Sequence, residues 1–351
     1  MRALHLIDHD GLGGAQRIIQ GILRHRPQDQ VLPLRHKLPQ MFSSINGENL
    51  GICQGSLMNY PVSIWRLFKK LRSGEVDILH CHLQAAFIVG ALMQPYCKRK
   101  KIPLVFHEHN PYATSSIWYR ALVRHAARIG HVIAVSPFIY HTLSTSGVPV
   151  ERLTLLPNFI DLRAGDINNT SPALREPQGV KGIIGMAARF VPEKGWEYAF
   201  QAIDKLRDAG VELWIAGVGK DLARAKRWVF DHNLQAQIRF LGVVEDMPQF
   251  YRSLDVLIHP ALHEPFGLVP LEAQAYGVPV ILFEYPGSRD IFTERSVVFC
   301  PPGDVNALVI AIRSVLQEEK VRQALIQNGY KNVERYRPTP YFEALENFYT
   351  T

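Results

Sequence analysis

Glu264 and Glu272 are separated by seven residues and bracket a Phe266-Gly267-Leu268 turn, which follows the apolar run Val256–His259. Carboxylates at the carboxyl end of a strand accept hydrogen bonds from sugar or ribose hydroxyls. The turn into the following helix exposes backbone N–H groups suited to an anion. Glu272 lies in an otherwise apolar stretch, where an unpaired carboxylate is costly, so a partner or a ligand is expected for it. Upstream, Arg189 and Lys194 stand five residues apart on a strand-to-helix loop. A planar guanidinium fork and a point charge at that spacing close on a diphosphate. Near the N-terminus, Gly11, Gly13 and Gly14 follow an apolar run and open a helix. Glycines there let backbone N–H groups approach an anion closely. The spacing is not G-x-G-x-x-G, so a dinucleotide site is not indicated.

Two pairs of histidines, His80-Cys-His82 and His107-Glu-His109, end apolar runs. Ligands bind at that end of parallel strands. Alternate residues of a strand share a face, so four imidazoles offer zinc as a minor alternative. Asp8-His-Asp10 spells a second minor metal pattern, and a metal-free site is the expectation. Basic runs lie near aromatics at Trp65–Lys70, Lys98–Lys101 and Ile117–Arg128. In the last, Arg120, Arg124 and Arg128 recur every fourth residue as a stripe beside Trp118 and Tyr119. That pattern suits a helix lying on anionic lipid, with an ordinary solvated face as the plain alternative. No nucleic-acid-binding motif is present.

These residues need a scaffold of alternating strands and helices. In the first half, Ala3–Ile7, Asp77–His80, Leu104–Phe106, Val132–Val135 and Thr154–Leu156 read as strands. They are nearly continuously apolar, as strands buried on both faces must be. Helical patterns lie between them, at Ala15–Leu23, Ile64–Leu71, Ala85–Met93 and Ile117–Ala127. The second half repeats the scheme, with strands at Gly182–Ala187, Glu212–Ala216, Ile238–Leu241, Val256–His259, Val280–Phe283 and Val297–Phe299. The expectation is α/β, two doubly wound domains. The first spans residues 1–163 and the second 181–335. A polar, Asn-, Pro- and Gly-containing linker at 164–180 joins them, and a helix at 336–351 is expected to pack back onto the first domain.

A length of 351 residues fits two domains. No apolar run reaches the ~20 residues of a membrane span, and the N-terminus turns polar too early for a signal peptide. Cys53, Cys81, Cys97 and Cys300 lack Cys-x-x-Cys spacing, so a reducing cytoplasm is the expected setting. The charge is lopsided: residues 1–160 hold 18 Lys and Arg against 8 Asp and Glu, a net +10, and the remainder is net −3. A basic first domain meets something anionic.

Several segments, in order, are similar to those of the retaining glycosyltransferases of family 4, as in bacterial polysaccharide and lipopolysaccharide synthesis. They are Gly13-Gly14-Ala-Gln-Arg17, Asp77-Ile-Leu-His-Cys-His82, Leu156-Pro-Asn-Phe-Ile-Asp161, Ala188-Arg-Phe-Val-Pro-Glu-Lys-Gly195 and the Glu264-to-Glu272 signature. The resemblance implies the GT-B fold, two Rossmann-like domains with a deep cleft between them. It also implies a nucleoside diphosphate sugar as donor and no metal or other cofactor. Gly13 and Gly14 would meet the donor diphosphate, and Arg189 and Lys194 would neutralise the leaving nucleoside diphosphate. Glu264 would hold donor-sugar hydroxyls, and Phe266, Gly267 and Leu268 would lend backbone N–H groups. Glu272 would bind ribose, and Gly217 and Val243 would line the nucleotide pocket. His107-Glu-His109 falls on the family's Thr-x-His, which makes His109 the catalytic-site histidine and leaves open which of the two contacts the sugar. His82, with His107, would face the acceptor. A basic acceptor domain and the Arg120–Arg128 stripe imply a membrane-linked glycan or lipid acceptor and a peripheral enzyme on the cytoplasmic face of a membrane. The rival readings are a nucleotide-sugar epimerase of the same fold and a non-catalytic nucleotide-sugar-binding partner subunit.

Overall fold

The structure, a computed structural model, describes residues 1–9, 11, 13–35, 59–110, 116–161 and 182–350. Asp10, Cys53 and the linker expected at 164–180 lie outside the described residues. The chain divides into two units, residues 1–159 with 338–351, and residues 160–337.

Unit 1 is built on six parallel strands: β1 (Ala3–His9), β2 (Gln30–Arg35), β3 (Ile78–His82), β4 (Leu104–Glu108), β5 (His131–Ala134) and β6 (Leu153–Leu155). Their order is β2-β1-β3-β4-β5-β6, so the sheet reverses direction of growth between β1 and β3. Helices α1 (Gly14–His25), α2 (Asn59–Arg72), α3 (Gln84–Lys100), α4 (Ile117–Ile129) and α5 (Pro137–Thr145) connect them. The central strands β3 and β4 are buried at every position, which is why their sequences do not alternate. β2 has no counterpart among the expected strands because Pro33 interrupts it. It sits at the sheet edge, where a missing N–H is tolerated. α3 runs through Pro95, past the expected end at Met93, and buries Cys97 one turn beyond. α5 was not expected; Pro137 starts it and the Ser136 hydroxyl accepts from the Ile139 N–H.

Unit 2 carries β7 (Gly182–Ala187), β8 (Val211–Ala216), β9 (Ile238–Gly242), β10 (Val256–His259), β11 (Val280–Phe283) and β12 (Val298–Cys300), all parallel. The order β12-β11-β10-β7-β8-β9 is the dinucleotide-fold order, with its switch point between β7 and β10. The intervening helices are α6 (Trp196–Lys205), α7 (Leu222–Asp231), α8 (Met247–Arg252), α9 (Leu268–Ala275), α10 (Ser288–Ile291), α11 (Val305–Gln317) and α12 (Glu319–Val333). One face of this sheet packs Ile184, Leu213, Ile258 and Phe283 against Trp196, Phe200 and Ile312. Both units are therefore Rossmann-like. The last helix, α13 (Pro338–Thr350), belongs to unit 1 and buries Tyr341, Leu345 and Tyr349.

Candidate functional site

The switch point of unit 2 brings the β7 and β10 loops together. Leu262 N–H donates to Glu193 O at 2.9 Å. Gly195 has φ +67°, and a Cβ there would stand 1.8 Å from the Pro260 carbonyl oxygen. Only glycine allows that approach. It brings Lys194 Nζ to 2.7 Å from Glu264 Oε2, with His259 Nε2 at 3.6 Å from the same oxygen. Burial pushes the Glu264 carboxyl up, but Lys194 and His259 outweigh it and hold the group well below the usual carboxylate range. Burial likewise pushes His259 down, against the pull of Glu264. Arg189, on the same loop as Lys194, is exposed.

Glu272 sits in the second turn of α9, where Tyr251 Oη donates to its Oε2 at 2.6 Å. Phe266 is buried and packs edge-on to Tyr336, so only its backbone is available to a ligand. Gly267, at φ +103°, opens α9, and an added Cβ would meet the Tyr285 hydroxyl at 2.5 Å. Gly217 is half-buried and Val243 exposed, each just beyond a strand.

In unit 1, α1 begins at an exposed Gly14, with Gly13 as its N-cap. The histidines form one interior cluster. Registry sets His5 beside His80 and His82 beside His107 on neighbouring strands, and alternate positions share a face. The rings of His80 and His82 stack at 4.3 Å, and those of His107 and His109 at 4.2 Å. His5 Nδ1 faces His82 Nε2 at 3.0 Å, and His82 Nδ1 faces His109 Nε2 at 3.0 Å. Tyr349 Oη reaches His80 Nδ1 at 2.6 Å from α13. Burial holds His80, His82 and His107 well below the usual imidazole range and His109 at about 3. These four rings are therefore neutral near pH 7. Two overlapping trios, His5-His80-His82 and His82-His107-His109, are compact enough to hold a metal ion. In this arrangement His82 directs one nitrogen to His5 and the other to His109, while among the described residues His80 Nε2 and both ring nitrogens of His107 have no hydrogen-bond partner.

The two residues expected to face an acceptor lie inside this cluster. His82 and His107 are fully buried, and both ring nitrogens of His82 are taken by other histidines. His109, 9% exposed, is the member of the cluster that reaches the surface. On the other face of β4, Glu108 accepts from Tyr119 Oη at 2.6 Å and from Asn110 N–H at 2.7 Å. Burial, partly opposed by these bonds, pushes its carboxyl up to about 7. Tyr119 therefore points into unit 1 and not toward a membrane. Of the stripe, Arg128 is exposed, while Arg120 and Arg124 are half-buried and Arg124 donates to Ser146 O. Trp118 is 82% exposed.

Sequence reasoning did not assign roles to His5, Asp29, Tyr251, His259 or Tyr349. His5 and His259 each stand in an apolar strand, the one signal that was available. Tyr251 and Tyr349 carry none, because their partners are distant in sequence.

Residues 49–164 match the model described as Glycosyltransferase Family 4, and residues 170–332 the one described as Glycosyl transferases group 1. The chain is a glycosyltransferase of the GT-B fold, related to family 4. This transferase is 24% identical to an uncharacterized glycosyltransferase of Methanocaldococcus jannaschii, over 91% of this chain and 88% of that one. It is 26% identical to the lipopolysaccharide core biosynthesis glycosyltransferase LpsE of Rhizobium meliloti, over 43% of this chain and 44% of the other. The crystal structure of Anabaena HepE in complex with UDP-glucose superposes with a TM-score of 0.81 at 19% identity, covering 100% of this chain and 99% of that one. Among the described residues, no helix is long and apolar enough to cross a membrane.

Proposed function

We propose that the enzyme moves a sugar from a nucleoside diphosphate sugar to a hydroxyl of a glycan or lipid-linked acceptor. The anomeric configuration is retained, and the product belongs to a surface polysaccharide or lipopolysaccharide. The Lys194–Glu264 pair at the switch point of unit 2 carries this reading. A carboxylate kept ionised by a lysine accepts hydrogen bonds from sugar hydroxyls. Lys194 and Arg189 oppose the charge that grows on the departing diphosphate, the largest kind of contribution in such sites. Glu272, steadied by Tyr251, takes ribose hydroxyls, and the backbone of Phe266, Gly267 and Leu268 takes sugar or phosphate oxygens. Gly217 and Val243 line the nucleotide pocket. In unit 1, Gly13 and Gly14 at the start of α1 offer N–H groups to the diphosphate, and His109 meets the donor sugar. No metal takes part, because Arg189 and Lys194 supply the positive charge. Retention rests on the likeness to family 4, and the polysaccharide setting on relatives such as LpsE.

The test is thermal melting of the protein against a panel of nucleoside diphosphate sugars, with and without chelator, followed by product analysis. At a hundred times Kd, binding stabilises by about 2.7 kcal/mol, which at roughly 2–4 °C per kcal/mol is a clear shift. A chelator-resistant shift with one donor supports the proposal. No shift with any donor in a folded sample overturns it, and conversion of the donor to another nucleotide sugar without transfer replaces it with the epimerase reading.

A further inference from the structure

Two ends of the histidine cluster differ in kind. One is His109, which reaches the surface. The other is Asp29, a fully enclosed carboxylate at the foot of β2. Arg26 Nε donates to Asp29 Oδ2 at 2.6 Å and Arg26 Nη2 to Oδ1 at 3.3 Å, and Ala3 N–H donates to Oδ1 at 2.9 Å. A carboxylate so placed is ionised and can only accept. His5 Nε2 stands 3.4 Å from Asp29 Oδ2, and from there the ring contacts run His5–His82–His109.

We propose that Asp29, acting through His5 and His82, holds His109 in the tautomer with Nε2 protonated and Nδ1 bare. Asp29 and His5 are thus positioning residues for the ring that meets the donor.

Given one proton on each ring, the order follows from hydrogen-bond polarity. A neutral imidazole has one donor and one acceptor nitrogen. Because Asp29 accepts, His5 carries its proton on Nε2, and its Nδ1 is a lone pair. His82 must then donate through Nε2, which leaves its Nδ1 to accept from His109 Nε2. The reverse order would aim a bare His5 nitrogen at the Asp29 carboxylate. Burial of His82 and His109 disfavours their cationic forms, which would scramble the order. His80 and His107 pack against the chain as stacked rings, and His80 is tied instead to Tyr349. Arg26 is spent on Asp29 and on Glu346 of α13. A bare Nδ1 on His109 accepts from a hydroxyl and repels a phosphate oxygen. His109 therefore selects a sugar hydroxyl over the diphosphate. That functional part rests on the reading that His109 meets the donor sugar; the tautomer itself does not.

The test is long-range proton–nitrogen NMR of the full chain labelled with nitrogen-15 histidine, without ligand, with signals assigned from His82→Gln and His109→Gln. The expected pattern is His5, His82 and His109 all protonated at Nε2. In Asp29→Asn, whose amide can also donate, the single pattern at His109 is lost to a mixture. If that variant does not fold, His5→Phe, which keeps the ring volume, gives the same loss. An Nδ1-protonated His82 or His109 in the unsubstituted protein overturns the proposal. So does stoichiometric zinc with metal-shifted ring nitrogens, because a metal would replace both inter-ring bonds. Failure of the transferase reading, seen as no donor-induced melt, leaves this NMR pattern unchanged, so the two failures are distinguishable.

Discussion

Glu264 illustrates how a single carboxylate is prepared for its task. Placed alone in its enclosed position it would protonate, and Lys194 at 2.7 Å prevents that. In Glu264→Gln the amide still meets the lysine but carries no charge, and Lys194 loses its counter-ion. We expect turnover to fall by about 100-fold or more, with a stability loss of about 1–3 kcal/mol. Steady-state kinetics beside a denaturant melt separates the two effects. Unchanged turnover in a folded variant would remove Glu264 from the chemistry. The glutamate pair and the Arg189–Lys194 spacing were legible in the sequence, because loop residues of those types have few structural duties. His259 and Tyr251 were not, since their relation to Glu264 and Glu272 exists only after β10, α8 and α9 have packed.

At the scale of elements, the β7 loop and the β10 loop depend on one residue without a side chain. Gly195→Ala puts a methyl group against Pro260 O in a backbone region that side chains disfavour. The expected cost is about 1–3 kcal/mol, and the loops move apart, so the donor-induced melt shift disappears while the rest of unit 2 stays folded. A variant that keeps its full donor response would show that the approach of the loops is not needed. Helix α4 bears on a different partner. Its open face holds Ile117, Trp118 and Arg128, a smaller surface than the three-arginine stripe expected from spacing. Helical period places residues on a face but does not say which neighbours cover it, and here the Ser146 carbonyl just past α5 accepts from Arg124. We expect the protein to sediment with anionic vesicles at low salt, and Trp118→Ser with Arg128→Glu to weaken this, at about 1 kcal/mol per charge near the surface. Equal binding to neutral and anionic vesicles would exclude the electrostatic part.

For the molecule as a whole, the buried imidazoles make unit 1 acid-sensitive. His80, His82, His107 and His109 have depressed folded pKa values, so the unfolded chain binds their protons first. Their contribution is complete above the unfolded value of about 6.5 and is lost as pH falls below it. Glu108 opposes them: raised to about 7, it is protonated in the folded state between its unfolded value and that pH. The histidines outnumber it, so unfolding takes up protons on balance and stability falls as pH drops from about 6 to about 5. Melts followed by hydrogen exchange should therefore show unit 1 opening well before unit 2 on acidification. A flat profile over that range would mean that the cluster is not neutral and enclosed.

The amino-acid sequence by itself determined the alternation of buried strands and amphipathic helices. It also placed glycines, cations and carboxylates at strand ends, because burial on both sheet faces and helix starts leave local marks at short range. Tertiary structure alone decided which of those residues meet. Strand order is not encoded at any one position. Yet it is the order β12-β11-β10-β7-β8-β9 that sets Lys194 beside Glu264, seventy residues away. Registry among β1, β3 and β4 likewise gathered two His-x-His pairs and His5 into one interior cluster whose ring contacts run from His109 to Asp29. Hydrogen bonds between distant strands depend on which edges pair, and that is settled only when the whole sheet closes.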